Sequence, residues 1–266
     1  MSDTLGLFEQ VLANLDDAFQ QLENKIEKPA LVKRGNFSVF RYETQSIKAA
    51  VIQKLARRVS GLHASLVLLR AGFVQEMGVI FRTLDEFDED MDFLCGAIRN
   101  ERMTELHKEY LASFYQEEFD NPDNPFSSEQ KRPTIRRQKI RAAITRQKGE
   151  PLNPSDAQRV RRMLSQEFSG YVHGASVHIL QMYDGDPPRY HLCGICGTPR
   201  IEDLTSNYWC YVYRGITVTQ VVATSFGEVE LALRLYALGE DFRRASGMAE
   251  CEDLDEQLRK FKEGKT

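Results

Sequence analysis

Apolar residues recur every three or four positions along most of this chain, the spacing of helices that each bury one stripe. The first stripe is Leu5, Phe8, Leu12, Leu15, Phe19, Leu22 and Ile26, and it predicts a helix from Thr4 to Lys28 capped by Asp3 and Thr4. Pro29 stops it, because proline disfavours helix in the preceding residue. Residues 29–43 read as a connector with extended character at Phe37, Val39 and Phe40. From Glu43 to Ile98 the pattern is helical almost throughout, predicting two long helices that meet near Gly72. A further helix is predicted from Met103 to Glu118, closed by the turn-forming run Asn121-Pro122-Asp123-Asn124-Pro125. A strongly basic helix follows Pro133, then a loop at Gly149-Glu150-Pro151. Ser155 is placed as the N-cap of another helix, running through Leu164 and Phe168 towards Leu180. Residues 184–204 are loop-rich, Thr205 to Leu238 reads as one long helix, and a short charged helix is expected after Gly247.

These elements predict an all-α protein. Its body is a bundle of long antiparallel helices over residues 43–240, with an N-terminal helix and connector (1–42) packed on it and a charged tail (241–266). One helix stands apart. Between Phe73 and Ile98, the stripe Met77, Ile80 or Phe81, Leu84, Phe87, Met91 and Leu94 is faced by Val79 and Phe93 on the other side. A helix apolar on two faces belongs at the centre of a bundle, which would leave Arg82 and Glu86 partly buried.

Composition excludes more than it assigns. The 266 residues carry 42% hydrophobic and 28% charged side chains, too apolar for wholesale disorder. A formal net charge of −4 gives no global nucleic-acid signature, so any basic surface is local. The start, Met1-Ser2-Asp3-Thr4-Leu5, has neither the basic nor the apolar region of a signal peptide. Two apolar stretches, near 62–81 and 209–226, are interrupted by Arg70 and Glu76 and by Arg214 and Gln220, so neither predicts a membrane span. Five cysteines without a regular framework suit a reducing cytoplasm.

Two segments hold the polar groups most suggestive of chemistry. Arg82 and Glu86 lie one helical turn apart, placed either to form a structural ion pair or to face a shared polar pocket. There the arginine would hold a phosphate or an oxyanion, and the glutamate would orient it. Downstream, Phe168-Ser169-Gly170-Tyr171-Val172-His173-Gly174-Ala175-Ser176 sets His173, Ser169 and Tyr171 among glycines that imply close backbone approach. A basic run from Lys131 to Lys148, with Arg159, Arg161 and Arg162 beyond it, offers phosphate contacts for RNA through Arg136, Arg137, Lys139, Arg141, Arg161 and Arg162. Its electrostatic partner is equally the chain's own acidic stretch, Asp85 to Asp92, and the run lacks aromatics for base stacking. His191, Cys193 and Cys196 resemble half a zinc knuckle, but no second Cys-x-x-Cys follows, so no metal site is assigned. No cofactor motif is present: phosphate loops, a serine-hydrolase elbow, His-Glu-x-x-His and kinase signatures are all absent.

The pairing of Arg-Thr-Leu-Asp-Glu (82–86) with Ser-Gly-Tyr-Val-His-Gly-Ala-Ser (169–176) resembles a family of uncharacterised bacterial proteins in the HEPN superfamily. Arg82, Glu86, Ser169, His173 and Gly174 match that pattern, Tyr110 and Phe114 fit its tyrosine-rich middle, and the resemblance spans roughly residues 45–180. It implies a HEPN-like helical bundle with additional peripheral helices, and, for many members, metal-independent endoribonuclease activity in toxin–antitoxin, stress or antiphage systems. One departure matters: active members carry an arginine a few residues before the histidine on one helix, and His173 has none. Arg58 and His63, and Arg102 and His107, do have that spacing, as chance alone would supply. Two catalytic arrangements follow. Either Arg102 clamps phosphate for His107 as base, or Arg82 and His173 converge from different helices; in both, the imidazole takes the ribose hydroxyl proton. The other reading is a non-catalytic helical module binding a protein partner or small ligand in the same pocket. Long exposed stripes on a bundle are also compatible with a homodimer.

Overall fold

Phe8, Val11, Leu12, Leu15, Ala18 and Leu22 are buried along one side of helix α1 (Ser2–Glu23), so the first predicted stripe is the one that meets the core. The computed structural model describes residues 2–148 and 168–246. The predicted loop at 149–151, the helix start at Ser155, the arginines at 159, 161 and 162, and the tail after Gly247 lie outside them. Helix α1 ends before the predicted Lys28, and the expected connector is a hairpin: β1 (Ala30–Arg34) pairs antiparallel with β2 (Phe37–Arg41), Ala30 opposite Arg41. Its two-residue turn, Gly35-Asn36, was the available sequence signal.

Helix α2 (Ile47–Ala71) starts where the Ser46 hydroxyl accepts a hydrogen bond from the Ala49 N–H, 3.1 Å away. Gly72 ends it in the left-handed region, at φ +74°, and α3 (Val74–Arg99) begins after Phe73. Next come α4 (Glu105–Tyr115) and α5 (Arg137–Lys148). Two short helices follow, α6 (Ser169–Val172) and α7 (Ser176–Ile179), and then a minimal ladder of β3 (Tyr183–Asp184) and β4 (Arg189–Tyr190). Helices α8 (Arg200–Ser225) and α9 (Val229–Ser246) close the described chain.

Two predicted helices are corrected. The segment expected to run helically to Leu180 breaks at Gly174, φ +62°, leaving His173 at the end of α6. The single helix expected over Thr205 to Leu238 is α8 and α9, separated by a turn at Gly227, φ +82°. Glycine tolerates this conformation without the Cβ clash that other residues suffer, so each break needs no other unusual residue. The predicted boundary at residue 240 therefore falls inside α9, and α1 shares the same core as α2, α8 and α9.

Helix α3 is the centre of the bundle, packed by α2, α5, α6 and α8, as its two-faced pattern predicts. Met77, Phe81, Leu84, Met91, Phe93 and Leu94 are buried, whereas Val79, on the predicted second face, is exposed. Aromatic contacts tie the outer helices together: Phe8 of α1 meets Tyr208 edge-on at 4.8 Å, and Trp209 stacks on Phe242 of α9 at 5.4 Å. Among the described residues, no helix is long and apolar enough to cross a membrane.

Candidate functional site

Residues 85–90 of α3 read Asp-Glu-Phe-Asp-Glu-Asp, five carboxylates that point to different sides of a helix turning 100° per residue. Each is met by cations from surrounding helices. Towards α2 and α8, the Arg58 Nε lies 2.8 Å from Asp88, while Arg214 donates to Asp85 at 2.7 Å and to Asp88 at 2.9 Å. The Tyr211 hydroxyl adds a hydrogen bond to Asp85 at 3.0 Å, and its ring stacks on Phe81 at 3.9 Å. Arg58 is fully buried; burial lowers its pKa and raises that of the Asp88 carboxyl, against the mutual attraction of the pair. Arg58, Asp88, Tyr211 and Arg214 were absent from the sequence-based site. The usable signal was an arginine inside an otherwise apolar run, as at Arg214.

On the opposite side, Lys54 of α2 reaches Asp90 at 2.6 Å, and Arg137 of α5 bonds both Asp90 and Glu86. Arg141 donates to Glu89 at 2.7 Å. The predicted Arg82–Glu86 pair forms at 2.8 Å, with the two side chains 20% and 36% exposed. It is therefore partly buried, and locally paired.

The downstream segment does dock on this helix. The Tyr171 ring sits over Gly78, where an added Cβ would lie 2.4 Å from a ring carbon, so only glycine admits the contact. Phe168 packs edge-on against Phe81 at 5.5 Å. Gly78 and Arg82 are one turn apart, so α6 and the Arg82–Glu86 pair share a junction, with Ser169 and Tyr171 half-buried in it. Tyr171 donates its hydroxyl to Gln181. His173 is exposed, and no hydrogen bond or ion pair joins it to Arg82 or Glu86 among the described residues.

The Arg102–His107 arrangement has its imidazole in the core. His107 is 1% exposed and stacked on Phe93 at 4.0 Å. Its Nδ1 accepts from the Thr104 N–H at 3.1 Å, capping α4, and its Nε2 faces the Phe93 carbonyl at 3.3 Å. Arg102 is exposed on the turn before it, while both imidazole nitrogens of His107 have partners inside the core. Burial lowers the His107 pKa below its ordinary 6.5, the bond to Phe93 pulling the other way. Between that lowered value and 6.5 the unfolded chain binds the proton more readily. Stability is thus expected to fall as pH drops through that window, by at most about 1.4 kcal/mol per pH unit, and not above it. Urea unfolding above and below the window, for wild type and His107→Gln, checks this. The same pH dependence in both proteins contradicts the assignment.

The basic run divides between two sides of α5. Arg137 and Arg141 point inward to the acidic turns of α3, leaving Arg136 and Lys139 exposed, while Arg161 and Arg162 lie outside the described residues. Beside it, a shallow cleft of about 460 Å³ mixes Glu109 with Lys139 and Arg146, so it presents no uniformly basic floor. In the cysteine loop, the Cys196 thiol donates to the Arg70 carbonyl at 3.4 Å. No group of three or more metal-ligating side chains gathers among the described residues.

No protein-family model, curated protein or solved structure matches the chain.

Proposed function

We propose that this chain is a non-catalytic helical module that captures a ligand or partner at the junction of α3 and α6. One observation carries the reading: the acid–base candidates do not converge. Glu86 is engaged by Arg82 and Arg137, His107 caps a helix inside the core, and His173 stands exposed, with no bond to Arg82 or Glu86 among the described residues. General-base catalysis needs the base within hydrogen-bond reach of the proton it takes, with its orienting groups beside it. The junction keeps what binding needs: a partly buried arginine and a carboxylate on a rigid central helix, beside a tyrosine ring from α6.

The HEPN-type endoribonuclease, acting in stress response or phage defence, is the competing reading. The docking of Tyr171 one turn from Arg82 favours it, because Ser169 and His173 flank that contact. Incubating labelled RNA with purified protein in chelator separates the two. No cleavage is expected from wild type or from His173→Ala; cleavage by wild type that His173→Ala abolishes overturns the binding-module reading.

A further inference from the structure

Among the described residues, the ion pairs of Glu86, Glu89 and Asp90 on α3 do not balance. Lys54, Arg82, Arg137 and Arg141 supply four positive charges. Glu86, Glu89 and Asp90, the carboxylates that receive them, supply three. All are partly or fully withdrawn from water, so the excess cation is screened less than a surface charge would be. The imbalance has a specific location: the Arg82 Nη1 is buried and has no hydrogen-bond partner among the described residues, while its Nη2 holds Glu86. A donor shut away from water and unpaired costs about 1–3 kcal/mol, and more when the group is charged. Such a guanidinium edge is stabilised by an oxygen anion that accepts from it.

We propose that Arg82, with Arg137 beside it across Glu86, is a binding site for an oxyanion of the phosphate class. The two guanidinium groups grip the same carboxylate, Arg82 at Oε1 and Arg137 at Oε2, so they lie on one side of α3. Glu86 fixes both arginines, and its negative charge limits affinity, favouring a ligand that brings apolar surface as well. Tyr171, seated one turn away on Gly78 and packed by Phe168 and His178, forms part of the wall beside the pair. This deepens the binding-module reading by naming the ligand's chemistry and rests on the same junction.

Calorimetric titration of the full-length protein with inorganic phosphate, against chloride at matched ionic strength, tests it. Saturable binding is expected in the wild type, weakened at least roughly tenfold in Arg82→Gln and less in Arg82→Lys, which keeps the charge but loses the fork. Arg146→Gln, an exposed arginine on α5, serves as control and should bind as wild type does. Circular dichroism shows that each variant is folded; were Arg82→Gln to unfold, Arg82→Lys and the wild type still decide. Absence of saturable phosphate binding in the wild type, or equal binding by the Arg82 variants, overturns the site. The chelator assay with RNA is independent: cleavage there removes the non-catalytic reading and leaves the anion site standing.

Discussion

Replacing Asp88 by alanine is expected to lower the unfolding free energy by about 3–5 kcal/mol, the largest effect of any single charge removal here. The reason is what remains behind. Arg58 is fully buried, with its Nε on Asp88 and its Nη2 donating to the Tyr211 carbonyl at 3.0 Å. Without Asp88, that guanidinium has no carboxylate in ion-pair contact among the described residues, only the weaker pull of Asp85, which Arg214 already holds. An unpaired buried charge is far more costly than the pair is stabilising, since forming the pair already required both ions to lose water. Urea denaturation followed by circular dichroism measures the difference. Asp241→Ala, whose exposed pair with Arg244 is 73% and 75% accessible, should change stability by no more than about 0.5 kcal/mol. The double variant Arg58→Met, Asp88→Leu should recover much of the loss, because it removes the desolvated ions together. If Asp88→Ala proves as mild as Asp241→Ala, the buried network does not hold the bundle together in the way described.

The second large effect is expected at Gly194→Ala, through backbone contact. Gly194 adopts φ +97°, and a Cβ there would lie 1.9 Å from the Ala71 carbonyl oxygen at the end of α2. Neither atom is the free end of a side chain, so the loop must lift away. Lifting it exposes Ile195, now 1% accessible, and breaks the bond from its N–H to the Gly72 carbonyl at 2.9 Å. Isoleucine burial contributes about 1.5–3 kcal/mol and the hydrogen bond about 1 kcal/mol, which places the expected loss near 3 kcal/mol. Gly197→Ala is the control: its φ is +84°, but nothing lies within 4 Å of the added carbon, so only the conformational strain of about 1 kcal/mol applies. Urea unfolding and exchange of the Ile195 amide report the two. Equal losses, with the Ile195 amide equally protected in both, would show that contact with α2 is not the cause.

The helical stripes were legible because burial of one face imposes its period directly on the sequence, as along α1 and α3. The breaks at Gly174 and Gly227 were not, since a glycine within an apolar pattern fits either a helix interior or a left-handed turn. The hairpin hid for another reason. Its strands are short, and its apolar side chains Leu31, Phe37 and Phe40 are exposed, so no buried alternation marks them. At the candidate site, the Arg82–Glu86 pair followed from helix geometry alone, because both residues lie on one element. The alternative partner for the basic run, the acidic stretch of α3, was also visible in composition. Choosing it over RNA for Arg137 and Arg141 required coordinates.

The sequence by itself determined that this chain is helical, where its long apolar faces lie, and which helix is central. Tertiary structure alone decided which charges meet. A rotation of 100° per residue about α3 sends Asp85 and Asp88 to α8 and α2, but Glu86, Glu89 and Asp90 to α2 and α5. Local pattern fixes the face on which a charge lies, whereas its partner depends on which distant helix is packed there. The same physics seats His107 in the core as a cap and leaves His173 outside it, two imidazoles whose surroundings no spacing rule distinguishes.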